Sequence, residues 1–75
     1  SKSELGLMVR RNFALGKKVE RLKDFSLAER LYRRVLLLDP KHAGAMKGIA
    51  SCLLKVGDYQ GAEAWARRAD MLKRH

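Results

Sequence analysis

The sequence predicts an all-α chain of two antiparallel helix-turn-helix hairpins, stacked as a short right-handed solenoid. Three observations point there. A phrase is written twice, as KDFSLAERLYRR from Lys23 to Arg34 and as GDYQGAEAWARR from Gly57 to Arg68, thirty-four residues apart. Within each copy the apolar residues recur at steps of three, four or seven, the spacing of one helical face. Between the periodic stretches lie Asp, Gly and Pro, the residues that begin and end helices.

Comparing 9–41 with 43–75 gives six identities: Asp24/Asp58, Ala28/Ala62, Glu29/Glu63, Arg33/Arg67, Arg34/Arg68 and Leu38/Leu72. Like-for-like pairs surround them, such as Phe25/Tyr59, Leu15/Ile49, Gly16/Ala50 and Val19/Leu53. Size is therefore repeated along with identity. Small residues recurring where helices would cross allow close backbone approach.

The first helix is expected over about 3–22, with Leu5, Met8, Leu15, Val19 and Leu22 on one stripe. Ser1-Lys2-Ser3-Glu4 has the spacing of a capping box at its start, and Gly6 and Gly16 each weaken the helix by about 1 kcal/mol relative to Ala. The second helix, about 26–38, carries Leu27, Leu31, Val35 and Leu38, with Ala28 and Tyr32 beside that stripe. Asp24 in the preceding turn can accept its free backbone N–H groups. Pro40 stops it, because proline disfavours helix in the residue before it and has no N–H. A third helix over about 42–56 ends at Gly57, which can take the left-handed conformation of a helix terminus. Asp58 then caps the fourth, about 59–73. Short turns make neighbouring helices antiparallel. The chain is read as one domain, 1–75, with an N-terminal helix extension at 1–8, a first repeat at 9–42 and a second at 43–75.

These residues resemble the tetratricopeptide repeat family in period and signature. In the first unit the family's Leu-Gly pair is Leu15-Gly16, its turn aromatic Phe25, its small residue Ala28, its second-helix aromatic Tyr32 and its closing proline Pro40. The second unit matches at Ile49-Ala50, Gly57-Asp58-Tyr59, Ala62 and Ala69. Val35 replaces a usual small residue, and Ala66 stands where a large one is usual, with Trp65 beside it to supply the volume. The resemblance implies that each copy is a helical hairpin burying its apolar face on its neighbour.

At 75 residues the chain is a single small domain, of a size that hides only about 60% of its unfolded surface. Its longest apolar run, Val35 to Leu38, is too short to cross a bilayer, and Ser1 to Arg11 lacks the pattern of a secretory signal. One cysteine, Cys52, excludes an internal disulfide and suits a reducing compartment, so a cytoplasmic location is expected. Cys52 itself reads as a small buried or half-buried apolar residue rather than a nucleophile.

Catalytic chemistry is not expected. His42 follows Pro40 and His75 ends the chain, both read as surface histidines, and with Cys52 they offer no zinc-ligand spacing. Gly16-Lys17-Lys18 lacks the upstream glycine and the hydroxyl of a phosphate loop. No metal or other cofactor is called for, and the chain is read as a non-enzyme.

Seventeen Lys and Arg against eight Asp and Glu leave a formal charge of +9, which attracts acidic surfaces, nucleic acid or anionic lipid. In the family the first helices of successive hairpins line a groove for a partner's peptide or helix. By that resemblance the groove displays Arg10, Phe13, Lys17 and Arg21 from the first helix. From the third it displays Gly44, Lys47, Ser51, Leu54 and Lys55. Helical spacing alone puts Arg10, Lys17 and Arg21 on one face, and Lys47, Ser51 and Lys55 on another. Such a groove suits an acidic protein or peptide with an apolar anchor. One branch of the family clamps the acidic tails of cytosolic chaperones with a Lys-Asn pair and a further Asn. Phe13, Lys17 and Gly48 occupy those positions here, so that residue set is not present.

The outer face of the fourth helix, with Ala62, Trp65, Ala66, Ala69 and Leu72, is a second candidate surface, anchored by an exposed Trp65. Two hairpins fall short of the ~3 repeats that usually make a stable solenoid. Contact with further repeats of a parent chain, or with a copy of itself as a homo-oligomer, is therefore also open. The rival reading is nucleic-acid binding through doublets such as Lys17-Lys18 and Arg33-Arg34. Against it, Phe and Tyr occupy packing positions and leave few rings to stack bases.

Overall fold

The computed structural model describes residues 2–74, with side chains from Glu4 onward. Four helices follow in order: α1 Lys2–Arg21, α2 Phe25–Leu38, α3 Ala43–Lys55 and α4 Tyr59–Lys73. Among the described residues there is no strand. Each expected helix is present with its ends within one residue of the expected bounds, and the fourth matches them. Ser1, the cap of the expected capping box, and His75 fall outside the described residues.

Helix starts follow from side-chain acceptors. Asp24 Oδ1 accepts from the Leu27 N–H at 3.2 Å, and Asp58 Oδ1 from the Gly61 N–H at 2.9 Å. The third cap is a histidine: His42 Nδ1 accepts from the Ala45 N–H at 2.9 Å. His42 is half-buried and its ring lies 4.7 Å from that of Phe13, so it is a structural residue and not the surface histidine expected.

Both hairpin turns close with the same pair of bonds. Lys23 N–H donates to Glu20 and Asp24 N–H to Val19; Gly57 N–H donates to Leu54 and Asp58 N–H to Leu53. This Schellman pattern puts one residue in the left-handed region. Gly57 takes it at φ 89°, and in the first turn Lys23 takes it at φ 68°.

The hairpins share one core. α1 packs on α2, α2 on α3 and α3 on α4, with a lighter contact between α1 and α3. Tyr32, Ile49, Val35 and Cys52 are its largest fully buried side chains, closed in by Ala28, Ala45 and Leu31. Tyr32 lies at the centre, between two glycines: a Cβ on Gly16 would come within 2.8 Å of its ring, and one on Gly48 within 2.5 Å. Close approach of α1 and α3 to the ring thus depends on both glycines.

The stripe expected on α1 is rotated. Of its five residues only Val19 is buried, while Leu5, Met8, Leu15 and Leu22 are exposed. The packed face runs instead through Val9, Phe13, Gly16 and Val19, because Tyr32 draws the glycine, not the leucine, to the crossing. In α2 the same correction moves Leu27 outward and places Ala28, Leu31, Tyr32 and Val35 inside. Cα extents of 38 × 32 × 15 Å make the molecule a slab one hairpin layer deep. No described helix is long and apolar enough to cross a membrane.

Candidate partner-binding surfaces

The last turn of α1 presents Lys17 and Arg21 on one side, since residues four apart share a face. The left-handed turn swings Lys23 towards them, and the end of α3 brings Lys55. With Glu20 and Phe25 these four cations line a cavity of about 330 Å³. One carboxylate among four cations leaves the wall strongly positive.

Glu20 is the structural hub of this wall. Its Oε1 accepts from the Tyr32 hydroxyl and its Oε2 from the Ser51 hydroxyl, both at 2.6 Å. One carboxylate therefore ties α1, α2 and α3 together. Burial, and then the bond to Glu20, push the Tyr32 phenol well above its usual range. Burial also pushes the Cys52 thiol up to about 11, with the charges of Glu20 and Glu29 adding to it. An inert thiol at a packing position follows, as expected from the sequence.

Beside Ser51 a second cavity, about 450 Å³, opens between α3 and α4. Its floor is Ala50, Leu54, Tyr59, Ala62 and Ala66, with Lys47 and Glu63 at the rim. Lys73 lies against Lys47 and, by hydrogen bonding and charge repulsion, lowers the basicity of that amine.

The expected groove residues therefore divide. Lys17, Arg21 and Lys55 meet in the basic cavity, while Lys47 and Ser51 line the apolar one. Phe13 is half-buried, 5.8 Å from the Tyr32 ring, with the Lys17 ammonium 6.0 Å above it. Arg10 stands apart, lining a separate cavity with Leu5, Val9 and Asp39. Trp65 is not the exposed anchor expected: it packs half-buried against the core, and the guanidiniums of Arg68 and Arg33 lie 4.3 and 5.3 Å from its ring centre. Nor does it fill the volume beside Ala66, which remains open. Of the stripe on α4, Ala62 and Ala69 are buried and Ala66 is exposed.

Two participants were not singled out from the sequence. Lys23 joins the basic cavity only because the turn is left-handed at a non-glycine residue, which its letters do not announce. Glu20 was visible as the one acid on the face between Lys17 and Arg21, a place where a carboxylate needs a partner. Among the described residues no group of three or more His, Cys, Asp or Glu is placed to hold a metal ion.

Comparison with known families finds that the model described as tetratricopeptide repeat aligns with residues 13–73. That span takes in the C-terminal part of α1, from Phe13, and the whole of α2, α3 and α4. No curated protein matches the chain.

Proposed function

The chain belongs to the tetratricopeptide repeat family, and from that membership we propose that it is a non-catalytic module binding an acidic segment of a partner protein. Repeats of this family are generally protein–protein interaction modules. The observation that carries the finer reading is the convergence of Lys17, Arg21, Lys23 and Lys55 on one cavity. The face of Phe13 lies on the same side of α1 as Lys17, so an apolar residue of the partner has a ring to rest on while its acids meet the cations. Cations at a rim speed encounter and select sign, and the buried apolar contact slows release. Lys47 and Lys73 extend the positive surface towards the far end of the second hairpin.

A reducing compartment, the cytoplasm, fits a chain whose single thiol is buried.

The test is binding of a fluorescent peptide of alternating Glu and Leu, followed by anisotropy, beside a single-stranded RNA oligomer. Lys17→Glu with Arg21→Glu is expected to weaken the peptide by at least about tenfold, equivalent to about 1.4 kcal/mol, with Lys47→Glu a smaller loss. Added salt should weaken it further. RNA binding tighter than peptide binding, lost in the same variants, would reverse the reading.

A further inference from the structure

Two apolar surfaces lie at opposite ends of the order in which the helices pack. One is the ridge of Leu5, Met8, Leu15 and Leu22 on α1. The other is the cleft between α3 and α4, floored by Ala50, Leu54, Tyr59, Ala62 and Ala66. The interior shows how such surfaces meet. Moved back by the thirty-four-residue repeat, the cleft's floor becomes Gly16, Glu20, Phe25, Ala28 and Tyr32. That first cleft is covered by α3, with Gly48 against Tyr32, Ser51 bonded to Glu20, and Ile49 and Cys52 buried. Moved back by the same interval, the covering residues Gly48, Ile49, Ser51 and Cys52 become Ala14, Leu15, Lys17 and Lys18 of α1.

We propose that α1 of a second copy seats in the α3–α4 cleft as α3 seats on the first hairpin, so that copies associate head to tail. Volume favours this occupant. Tyr32 demands a glycine opposite it, whereas its counterpart Ala66 leaves room for the Cβ of Ala14 and for Leu15. Charge favours it too. Cys52 lies within electrostatic reach of Glu29, so the second copy's Lys18 falls beside Glu63, the counterpart of Glu29. Arg11 and Lys18 stand where α3 has Ala45 and Cys52, which makes this contact more polar and weaker than the internal one. The contact joins unlike surfaces and leaves one of each free, so it builds open chains rather than closed pairs. Its cleft is not the acidic-partner cavity, although Lys47 stands at its rim and the second copy's Lys17, counterpart of Ser51, falls at its edge.

Sedimentation across micromolar to millimolar concentration tests it. The unaltered chain should gain mass past two copies. Leu15→Glu spoils the ridge and Ala66→Glu the cleft; both residues are exposed, so helicity by circular dichroism should hold. Each variant alone should remain monomeric, and an equimolar mixture should give a one-to-one dimer that grows no further. Lys18→Glu should weaken association about tenfold, and adding Glu63→Lys should restore it. Leu37→Glu, at the 84% exposed Leu37, should change nothing. A chain monomeric throughout, an assembly that stops at two, or end variants that do not complement would overturn the proposal. Acidic-peptide binding should persist in both end variants, which keeps the two tests separate.

Discussion

A phenol fills the cleft of the first hairpin, and the corresponding place in the second is a void beside a methyl group. Tyr32 is fully buried between Gly16 and Gly48 with its hydroxyl on Glu20. Its counterpart Ala66 is exposed on a cavity of about 450 Å³, with Ala50 where the first hairpin has Gly16. Large-against-small has become small-against-small. The repeated letters, Asp24/Asp58 and Ala28/Ala62, build the hairpins alike. The letters that differ decide which cleft is closed by the chain's own packing and which is left open to another surface.

The largest way to break that contrast is to empty the filled cleft. Tyr32→Ala is expected to cost about 3–5 kcal/mol, a large share of the ~5–15 kcal/mol that holds a small domain together. In urea the transition should shift far down or vanish. Tyr32→Phe keeps the ring and removes only the bond to Glu20, an effect of about 1 kcal/mol. Ala66→Gly, at the open counterpart, should cost no more than the helix propensity of about 1 kcal/mol.

Next comes overfilling. Gly48→Ala would set a Cβ 2.5 Å from the Tyr32 ring; overpacking of about 1–3 kcal/mol should outweigh the propensity gain of about 1 kcal/mol. In the background Tyr32→Ala the same substitution should become stabilising. Urea midpoints of the four chains, read as a double-mutant cycle, check this coupling. Independence of the two sites would show that the glycine answers to something other than the ring.

What was legible in the sequence follows the same division. Helix limits, caps at Asp24 and Asp58, the left-handed Gly57 and the burial of Cys52 could be read because each rests on a few adjacent residues. The rotation of α1 could not. Leu5, Met8, Leu15 and Leu22 have helical spacing, yet Gly16 faces the core because Tyr32, sixteen residues on, occupies the crossing. Spacing reports that a face exists and is silent on which neighbour claims it. That Lys17, Arg21 and Lys55 lie on one surface was legible, because the repeat aligns their helices. Lys23 was not, since it depends on a turn conformation, and Trp65 was misplaced because Arg33 and Arg68 come to its ring from two different helices.

Alkali should act on the filled cleft. Cys52, ordinarily at 9.0, is raised to about 11, and Tyr32 is raised from 10.0. A folded state that holds a thiol and a phenol protonated keeps that stability below the unfolded values and loses it as pH climbs. The melting temperature should therefore be steady up to about pH 9 and fall towards pH 11. Cys52→Ala should flatten part of the decline. A steeper fall in that variant would mean that the loss arises elsewhere.

The smallest effect separates the turns. Lys23 at φ 68° and Gly57 at φ 89° close identical bond patterns, but a side chain in the left-handed region crowds the following carbonyl, at about 1 kcal/mol or somewhat more. Glycine avoids that strain and in exchange loses more backbone freedom on folding. Lys23→Gly should stabilise the chain by about 0.5–1 kcal/mol, and Gly57→Ala should destabilise it by about 1 kcal/mol. The lysine stands at a place better suited to glycine, and the proposed acidic-partner site would give it a role. The same Lys23→Gly variant should bind the Glu-Leu peptide more weakly while melting higher. If it melts higher and binds unchanged, Lys23 is strain without function, and the cavity's cations reduce to Lys17, Arg21 and Lys55.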